Sequence, residues 1–207
     1  MLPEICLSII QTSDKTGRFT LPGYATIVNS GMSDRAAESV KVRIEEILPR
    51  SAASMLTDAR NLLLEYGRFV IAQPGTAHFC FGSLEQEAER LPLGYQEQGG
   101  GCLMAWIADE PAGFVAWREL PTSVARDAWE MKRLWVRPAA RGLGLGRLLT
   151  QAVLDRASAA KRAAIYLDTV PKAMAAAHRM YLDLGFKPCR AYHDNPIEGI
   201  VYLVRRF

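Results

Sequence analysis

Three glycines alternate with leucines in residues 141–147 (RGLGLGR), and this segment has the clearest chemical potential in the chain. It joins an apolar strand-like stretch to an amphipathic helical pattern, so the first N–H groups of that helix have no acceptor within it. The helix dipole places positive potential at the same end, and Gly142, Gly144 and Gly146 have no side chain to keep a ligand away from the backbone. The segment therefore predicts an anion site, most naturally for a phosphate or pyrophosphate.

Two other phosphate-binding motifs do not fit this turn. A dinucleotide fingerprint needs G-x-G-x-x-G, but Arg147 or Leu149 stands where the third glycine belongs. A P-loop needs Lys-Ser or Lys-Thr after its last glycine, and neither pair follows a glycine here. The alternative without a ligand is a flexible turn with solvated arginines. In the phosphate interpretation, Arg137, Arg141 and Arg147 can add charge-assisted hydrogen bonds.

Composition excludes several classes of protein. With 207 residues, 49% hydrophobic and 23% charged, the chain has ordinary globular composition and is neither fibrous nor wholly disordered. A net charge of +3 does not favour nucleic acid or a membrane surface as a partner. The four cysteines and three histidines are isolated, which predicts reduced thiols and no metal site. Without a signal peptide or an apolar stretch of about 18 residues, we expect a cytoplasmic protein.

Hydrophobic periodicity predicts an α/β (α+β) fold, with one mixed sheet and helices on its faces. We expect residues 1–39 to form an N-terminal extension, loosely ordered or an appended edge strand, and residues 40–207 to form one domain. Ser51 is the expected N-cap of the first helix, which Gly67 should end. The expected strands are 40–48, 102–108, 113–117, 129–136, 164–168, 189–192 and 200–205, and the helices after the first are 83–91, 145–160 and 172–184.

The glycine turn also resembles a known family. The pattern Arg141-x-x-Gly144-x-Gly146 matches the R/Q-x-x-G-x-G/A acetyl-CoA signature of the GNAT superfamily of N-acetyltransferases. Residues 130–138 (EMKRLWVRP) are similar to the family's fourth strand, and residues 177–186 (AHRMYLDLGF) to its second conserved block. The likeness covers about residues 40–207. It implies a mostly antiparallel central sheet that splays between its fourth and fifth strands.

The resemblance also implies acetyl-CoA as the acyl donor. Its pyrophosphate would lie on the N–H groups of the glycine turn, and its pantetheine arm would run along the fourth strand as an added strand, a form of recognition that uses open edge hydrogen bonds. The implied cofactor-binding residues are Leu134, Trp135, Val136, Arg141, Gly142, Leu143, Gly144, Leu145, Gly146 and Arg147.

Glu130 and Tyr181 are the catalytic candidates. Acyl transfer to an amine needs a neutral nucleophile, an oxyanion donor and a proton for the leaving thiolate. Glu130 lies about 23 Å along an extended strand from Arg137, which suits a base near the acyl end of the arm. The alternative is a solvated carboxylate paired with Lys132 or an arginine. A bulge, usual in this strand of the family, would alter where Glu130 points.

Tyr181 matches the family tyrosine that protonates the leaving CoA thiolate, just before Gly185-Phe186. The alternative is a core aromatic on the inner face of the helix. One departure is Met174, which stands where many members have an asparagine; Thr169 or a backbone group is its expected replacement. A backbone N–H near Val136 would meet the oxyanion.

The first half of the chain and the terminal hairpin should form the acceptor pocket, because they are rich in loops. Its candidates, each equally explained by packing or a turn, are Tyr66, His78, Phe79, Phe81, Tyr95, Tyr192, His193 and Asp194. We therefore expect transfer of an acetyl group to the amine of a small molecule or peptide. The alternative is a non-catalytic acyl-CoA sensor, and the sequence leaves a homodimer open.

Overall fold

The computed structural model describes residues 23–28, 39–73 and 81–207. Its strands are β1 (Gly23–Val28), β2 (Ser39–Glu46), β3 (Gly101–Ile107), β4 (Glu110–Glu119), β5 (Ala128–Val136), β6 (Ala164–Thr169), β7 (Lys187–Cys189) and β8 (Val201–Arg206). Its helices are α1 (Ala53–Ile71), α2 (Phe81–Glu89), α3 (Leu93–Gln96), α4 (Leu145–Ala159) and α5 (Ala175–Asp183).

In the described residues, the strands form one sheet in the order β1-β2-β3-β4-β5-β6-β8-β7. Every neighbouring pair is antiparallel except β5 and β6, which are parallel. This confirms the predicted mixed, mostly antiparallel sheet. Within residues 1–39, β1 is an edge strand that pairs with β2. Because β1 precedes the strand expected first, the fourth and fifth strands of the predicted domain are β5 and β6.

The sheet splays between β5 and β6, as predicted. The two strands pair over a short stretch that ends with Glu130 opposite Tyr166. Beyond that point β6 pairs only with β8, as far as Thr169, while β5 follows β4 to Val136. A gap therefore opens in the middle of the sheet, between two strands whose facing sides have no partner strand among the described residues.

A β-bulge interrupts β5 within this splayed part. Trp135 lies opposite Phe114 and Lys132 opposite Ala116, so β5 has one more residue than β4 between the two pairs. Arg133, in the extra stretch, has φ 59°, a value uncommon for a residue other than glycine. The bulge lets the consecutive side chains of Lys132 and Arg133 line the same pocket on one face of the sheet.

Two apolar cores lie on opposite faces of the sheet. One is built on α4, where Leu145, Leu149 and Val153 recur at helical spacing and are buried against the sheet. The other is built on α1, where Leu62 and Leu63 are fully buried with α2 and α3 residues. Helices on both faces were expected, and the two cores fix β5 from both sides.

The first helix differs from its prediction at both ends. It begins after Ala52, and Ser51 instead accepts a hydrogen bond at Oγ from the N–H of Leu48 (3.0 Å). It continues through Gly67 because Gly67 and Val70 extend its buried face, so the tertiary packing outweighs the glycine's low helix propensity.

Smaller differences occur elsewhere. The second helix was expected to end before Pro92, but a further helical turn, α3, follows this proline. The last helix begins at Ala175 rather than residue 172, and β7 lies at Lys187–Cys189 rather than 189–192. These boundary shifts leave the element order intact.

Candidate functional site

The glycine turn has the backbone geometry of an anion site. Gly142 and Gly144 have φ 82° and 76°, and Gly144 is the N-cap of α4. The first backbone hydrogen bond of α4 runs from the N–H of Leu148 to the carbonyl of Gly144 (3.1 Å), so the N–H groups of the first three helical residues have no acceptor within the helix. A Cβ added to Gly142 would meet no atom of the described residues within 4 Å, so these residues leave space over the turn. The residues present therefore fit a pyrophosphate.

Gly146 differs from the other two glycines. A Cβ added there would lie 3.7 Å from Sδ of Met180 and 3.8 Å from a methyl of Val136, which are ordinary contacts. Alanine thus fits at this position, in keeping with the G/A alternative in the sequence signature.

Arg137 does not face the phosphate site, contrary to the expectation for it. Its guanidinium donates to both carboxylate oxygens of Glu65 on α1, with a shortest distance of 2.8 Å, and to the carbonyl of Pro111 (2.7 Å). Glu65 also accepts a hydrogen bond from the indole N–H of Trp135 (3.2 Å). Arg137 therefore ties α1 to the end of β5 and holds the strand that leads into the turn.

The other two arginines stay near the turn. Arg141 donates from Nε to the carbonyl of Val136 (3.1 Å), and its guanidinium lies 4.9 Å from the ring centre of Trp135. Arg147, in the first turn of α4, pairs with Asp183 at 3.3 Å and is partly exposed. Both guanidinium groups are accessible to a bound anion.

The last residues of β5 present backbone groups to the gap. The N–H of Arg137 donates to the carbonyl of Ala112, on the β4 side. Because backbone groups alternate in direction along a strand, those of Leu134 and Val136 point away from β4, towards the gap. Their side chains pack against the α4 core, whereas the Trp135 ring lies in the α1 core. The carbonyl of Val136 already accepts a hydrogen bond from Arg141, so the N–H groups of Leu134 and Val136 are the groups that this strand can offer to a ligand in the gap.

Tyr181 lies on α5 and belongs to the core on the α4 face of the sheet. Its side chain is buried, with 6% exposed, and its ring packs edge-on against Phe186 at 5.7 Å between centroids. Burial, reinforced by nearby Tyr66 and Asp168, raises the pKa of Tyr181 above its ordinary value. The ring thus belongs to the core, in agreement with the core-aromatic interpretation of Tyr181. The raised pKa means that the hydroxyl keeps its proton.

Glu130 is buried and paired on two sides. Its carboxylate lies 2.7 Å from Nε of Arg118 and 3.2 Å from Nζ of Lys132, and the hydroxyl of Tyr192 donates to it at 3.1 Å. Burial alone would raise the pKa of Glu130, but Lys132 and Arg118 outweigh it and hold the pKa below its ordinary value. These contacts favour the ion-paired interpretation, with the difference that the carboxylate is only 1% exposed rather than solvated.

A cavity of about 280 Å³ lies beyond the splay. Lys132 and Arg133 of β5 and Asp168 of β6 contribute its polar wall, so both diverging strands line it. Further residues come from α1, α2, the segment between β6 and α5, and the loop before β8. They are Tyr66, Val70, Gln73, Ser83, Thr169, Val170, Ala173, Met174, His193, Asp194, Asn195, Pro196, Ile197 and Ile200.

Asp168 is the centre of a polar cluster that the sequence analysis did not identify. Its Oδ2 lies 3.1 Å from Nε2 of His193 and accepts a hydrogen bond from Asn195 (3.0 Å). His193 Nδ1 lies 3.0 Å from the carbonyl of Asp194, and Tyr202 donates to the carbonyl of His193 (2.9 Å). The signal available in sequence was the acidic residue near the end of a strand, but its partners come from a distant loop.

Only some predicted acceptor residues meet in the cavity. Tyr66, His193 and Asp194 line it, while Tyr192 lies behind it on Glu130. Tyr95 is buried and donates to Glu87, and it is not among the residues that line the cavity. His78 and Phe79 lie outside the described residues, and Phe81 begins α2. Met174 lines the cavity, and the hydroxyl of Thr169 lies 3.9 Å from its sulfur.

Arg133 closes one side of the cavity through Glu87 of α2. Its Nε and Nη2 donate to the two carboxylate oxygens at 3.1 and 2.9 Å. Burial opposes ionisation of Glu87, but Arg133 prevails and lowers the pKa of that carboxyl. This bidentate pair joins the bulge to α2 and fixes the cavity wall.

Within the described ranges, no helix combines the length and apolar character needed to cross a membrane. In the same residues, no cluster of three or more His, Cys, Asp or Glu side chains is arranged to hold a metal ion.

Solved structures of acetyltransferases have a similar fold. An acetyltransferase from Streptococcus agalactiae superposes with a TM-score of 0.62 at 18% identity, covering 80% of this chain and 98% of that one. An acetyltransferase from Salmonella typhimurium, solved with its cofactor acetyl-CoA, has a TM-score of 0.56 at 17% identity and covers 80% and 93% of the two chains. At such identities the likeness shows the fold alone.

Sequence comparison identifies the family. An uncharacterised N-acetyltransferase of Schizosaccharomyces pombe is 40% identical over 74 residues, which are 36% of this chain and 45% of that protein. The alignment thus spans less than half the length of this curated relative. The model of the acetyltransferase (GNAT) family matches residues 71–186, which include β5, the glycine turn, the splay and Tyr181. The chain therefore belongs to the acetyltransferase (GNAT) family.

Proposed function

We propose that the chain is an acetyl-CoA-dependent N-acetyltransferase that transfers an acetyl group directly to the amine of a small molecule or peptide. The observation that supports this most is the splay between β5 and β6. The strand that leads into the glycine turn has open backbone groups along the gap, and the same gap is lined by charged side chains of a cavity. A donor and an acceptor approaching from these two directions would meet in the middle of the sheet.

The backbone and Tyr181 have separate roles in this proposal. When bound, acetyl-CoA supplies a thioester as the acetyl donor. The N–H groups at the start of α4 bind the phosphates, and Leu134 and Val136 offer N–H groups to the ligand and to the developing oxyanion. Tyr181 keeps its proton on Oη, because its pKa is raised, and gives it to the departing sulfur.

The amine must lose its proton before or during transfer. An alkyl ammonium group with a pKa of about 10.4 costs roughly 4.6 kcal/mol to deprotonate at pH 7. Glu130 is shielded by Arg118 and Lys132, so we assign it the role of holding Lys132 in place. Asp168 lines the cavity, and we assign it the contact with the amine and the acceptance of its proton.

Thiol release from acetyl-CoA across a panel of amines tests the activity. We expect turnover with at least one amine, about 100-fold slower turnover in Tyr181→Phe, and unchanged CoA affinity in that variant. Tyr166→Phe, on the paired part of β6, is the matched control and should retain activity. Asp168→Asn should lose more kcat/KM than Glu130→Gln. Tight acetyl-CoA binding without turnover on any amine would instead support a non-catalytic acyl-CoA sensor.

A further inference from the structure

The cavity presents charges of both signs in separate places. Lys132 and Arg133 lie on the β5 side, and Asp168 and Asp194 on the opposite side. Arg133 is matched by the bidentate carboxylate of Glu87. Two cationic and two anionic side chains therefore line the cavity, and a lining that is not strongly acidic does not complement a polycation such as a polyamine.

Lys132 is the cation with hydrogen-bonding capacity to spare. An ammonium group has three N–H donors, and one of them is directed to Glu130 at 3.2 Å. In the described part of the chain, Nζ has no second acceptor, and the side chain is only 17% exposed. A desolvated ammonium group at a cavity wall, already oriented by Glu130, is suited to bind an anionic group of a ligand.

Asp168 offers the complementary feature. Its Oδ2 accepts a hydrogen bond from Asn195 and lies 3.1 Å from Nε2 of His193, whereas Oδ1 has no donor among the described residues. Burial raises the pKa of the Tyr181 hydroxyl, and the charges of Tyr66 and Asp168 add to this effect. In the proposed function, a cationic amine held at Asp168 is the acetyl acceptor.

The rest of the cavity wall is largely apolar. Valine, isoleucine, alanine and methionine side chains continue from the charged end towards α1 and the loop before β8: Val70, Val170, Ala173, Met174, Ile197 and Ile200. Such a wall binds an aliphatic group by removing it from water.

We propose that the acceptor is a free amino acid with an apolar side chain, whose ammonium group faces Asp168 and whose carboxylate is bound by Lys132. The inference rests on the proposed N-acetyltransferase function and adds a substrate class to it. The cavity complements a zwitterion at its charged end and an aliphatic side chain at its apolar end.

The test compares an amino acid with the amine that lacks its carboxylate. With acetyl-CoA and the full-length chain, kcat/KM for leucine should exceed that for 3-methylbutylamine by about 10- to 100-fold, the effect of one charge-assisted hydrogen bond. Lys132→Met should remove this preference by lowering the leucine value alone. Lys132→Arg, which keeps the charge, should restore part of it, and Lys187→Met, on β7, should change nothing.

Three outcomes would overturn the inference. Equal or faster turnover of 3-methylbutylamine or spermidine by the unaltered chain would do so without any variant, and would leave the acetyltransferase proposal standing. An unchanged preference in a folded Lys132→Met protein would exclude Lys132 as the carboxylate ligand. If no amine on the panel is acetylated, the proposed function itself fails and the inference falls with it.

Discussion

Replacing Arg133 tests whether its ion pair with Glu87 stabilises the bulge in β5 by more than its positive φ destabilises it. Two effects act in opposite directions at this residue. Its φ of 59° costs a residue other than glycine about 1 kcal/mol relative to glycine. Its bidentate pair with Glu87 joins side chains that are 19% and 24% exposed. Removing one member of such a pair leaves a charge in a partly buried site.

The ion pair contributes more to the free energy of unfolding than the positive φ of Arg133 costs. Breaking a fully buried pair costs about 3–5 kcal/mol, and partial exposure here reduces this to about 2–4 kcal/mol. Arg133→Ala should therefore lower the free energy of unfolding by about 3 kcal/mol, because it loses the pair and keeps the unfavourable φ. Arg133→Gly should lower it by about 2 kcal/mol, since it relieves the backbone at the same time.

Urea unfolding of both variants measures this difference at equal m-values. In thermal unfolding, a loss of about 3 kcal/mol corresponds to a midpoint lower by roughly 6–12 °C for a chain of this size. Arg90→Ala is the matched control, because the Arg90–Glu97 pair is well exposed and should contribute at most about 1 kcal/mol. If Arg133→Gly is as stable as the unaltered chain, the ion pair does not hold the bulge and the reasoning is wrong.

Two further predictions concern the turn and its support. Gly142→Ala should lower the free energy of unfolding by about 1 kcal/mol, because φ is 82° at this residue. Gly146→Ala should be neutral or stabilising, because Gly146 lies in the helix and an added Cβ would make only ordinary contacts. Calorimetry that ranks the two variants in the opposite order would contradict this backbone argument. Burial opposes ionisation of Glu65, but its hydrogen bonds from Arg137 and Trp135 prevail and lower its pKa below the ordinary 4.5. The stabilisation from Glu65 is therefore complete above about pH 4.5 and is lost as the pH falls through the lower folded-state pKa, so unfolding midpoints of Glu65→Gln should show less of this acid loss than the unaltered chain.

The sequence predicts well those parts of the molecule whose structure is determined by residues close together in the chain. The glycine turn and α4 follow from glycines and leucines within one segment, so their positions could be predicted, whereas phosphate binding at the turn stays a prediction. The role of Arg137 could not, because its partner Glu65 lies 72 residues away on another element. Gly67 misled for a similar reason, since tertiary packing carries α1 past it.

The cavity shows the same division. Tyr66, His193 and Asp194 were expected on the basis of residue type, and they do line it. Asp168 was overlooked because an aspartate at a strand end is chemically unremarkable until His193 and Asn195 are seen around it. Residues brought together by the sheet have no short-range pattern by which to find them.

The gap between β5 and β6 also bears on how this fold avoids self-association. Unpaired strand edges normally recruit other chains, and proteins protect their outer edges against this. Here the backbone N–H groups of Leu134 and Val136 lie in the interior of the sheet, with β4 on one side and β6 on the other. Because neighbouring strands flank this edge on both sides, it is less exposed to other chains than an edge at the margin of a sheet. In the proposed function, the same splay leaves that edge for an extended ligand.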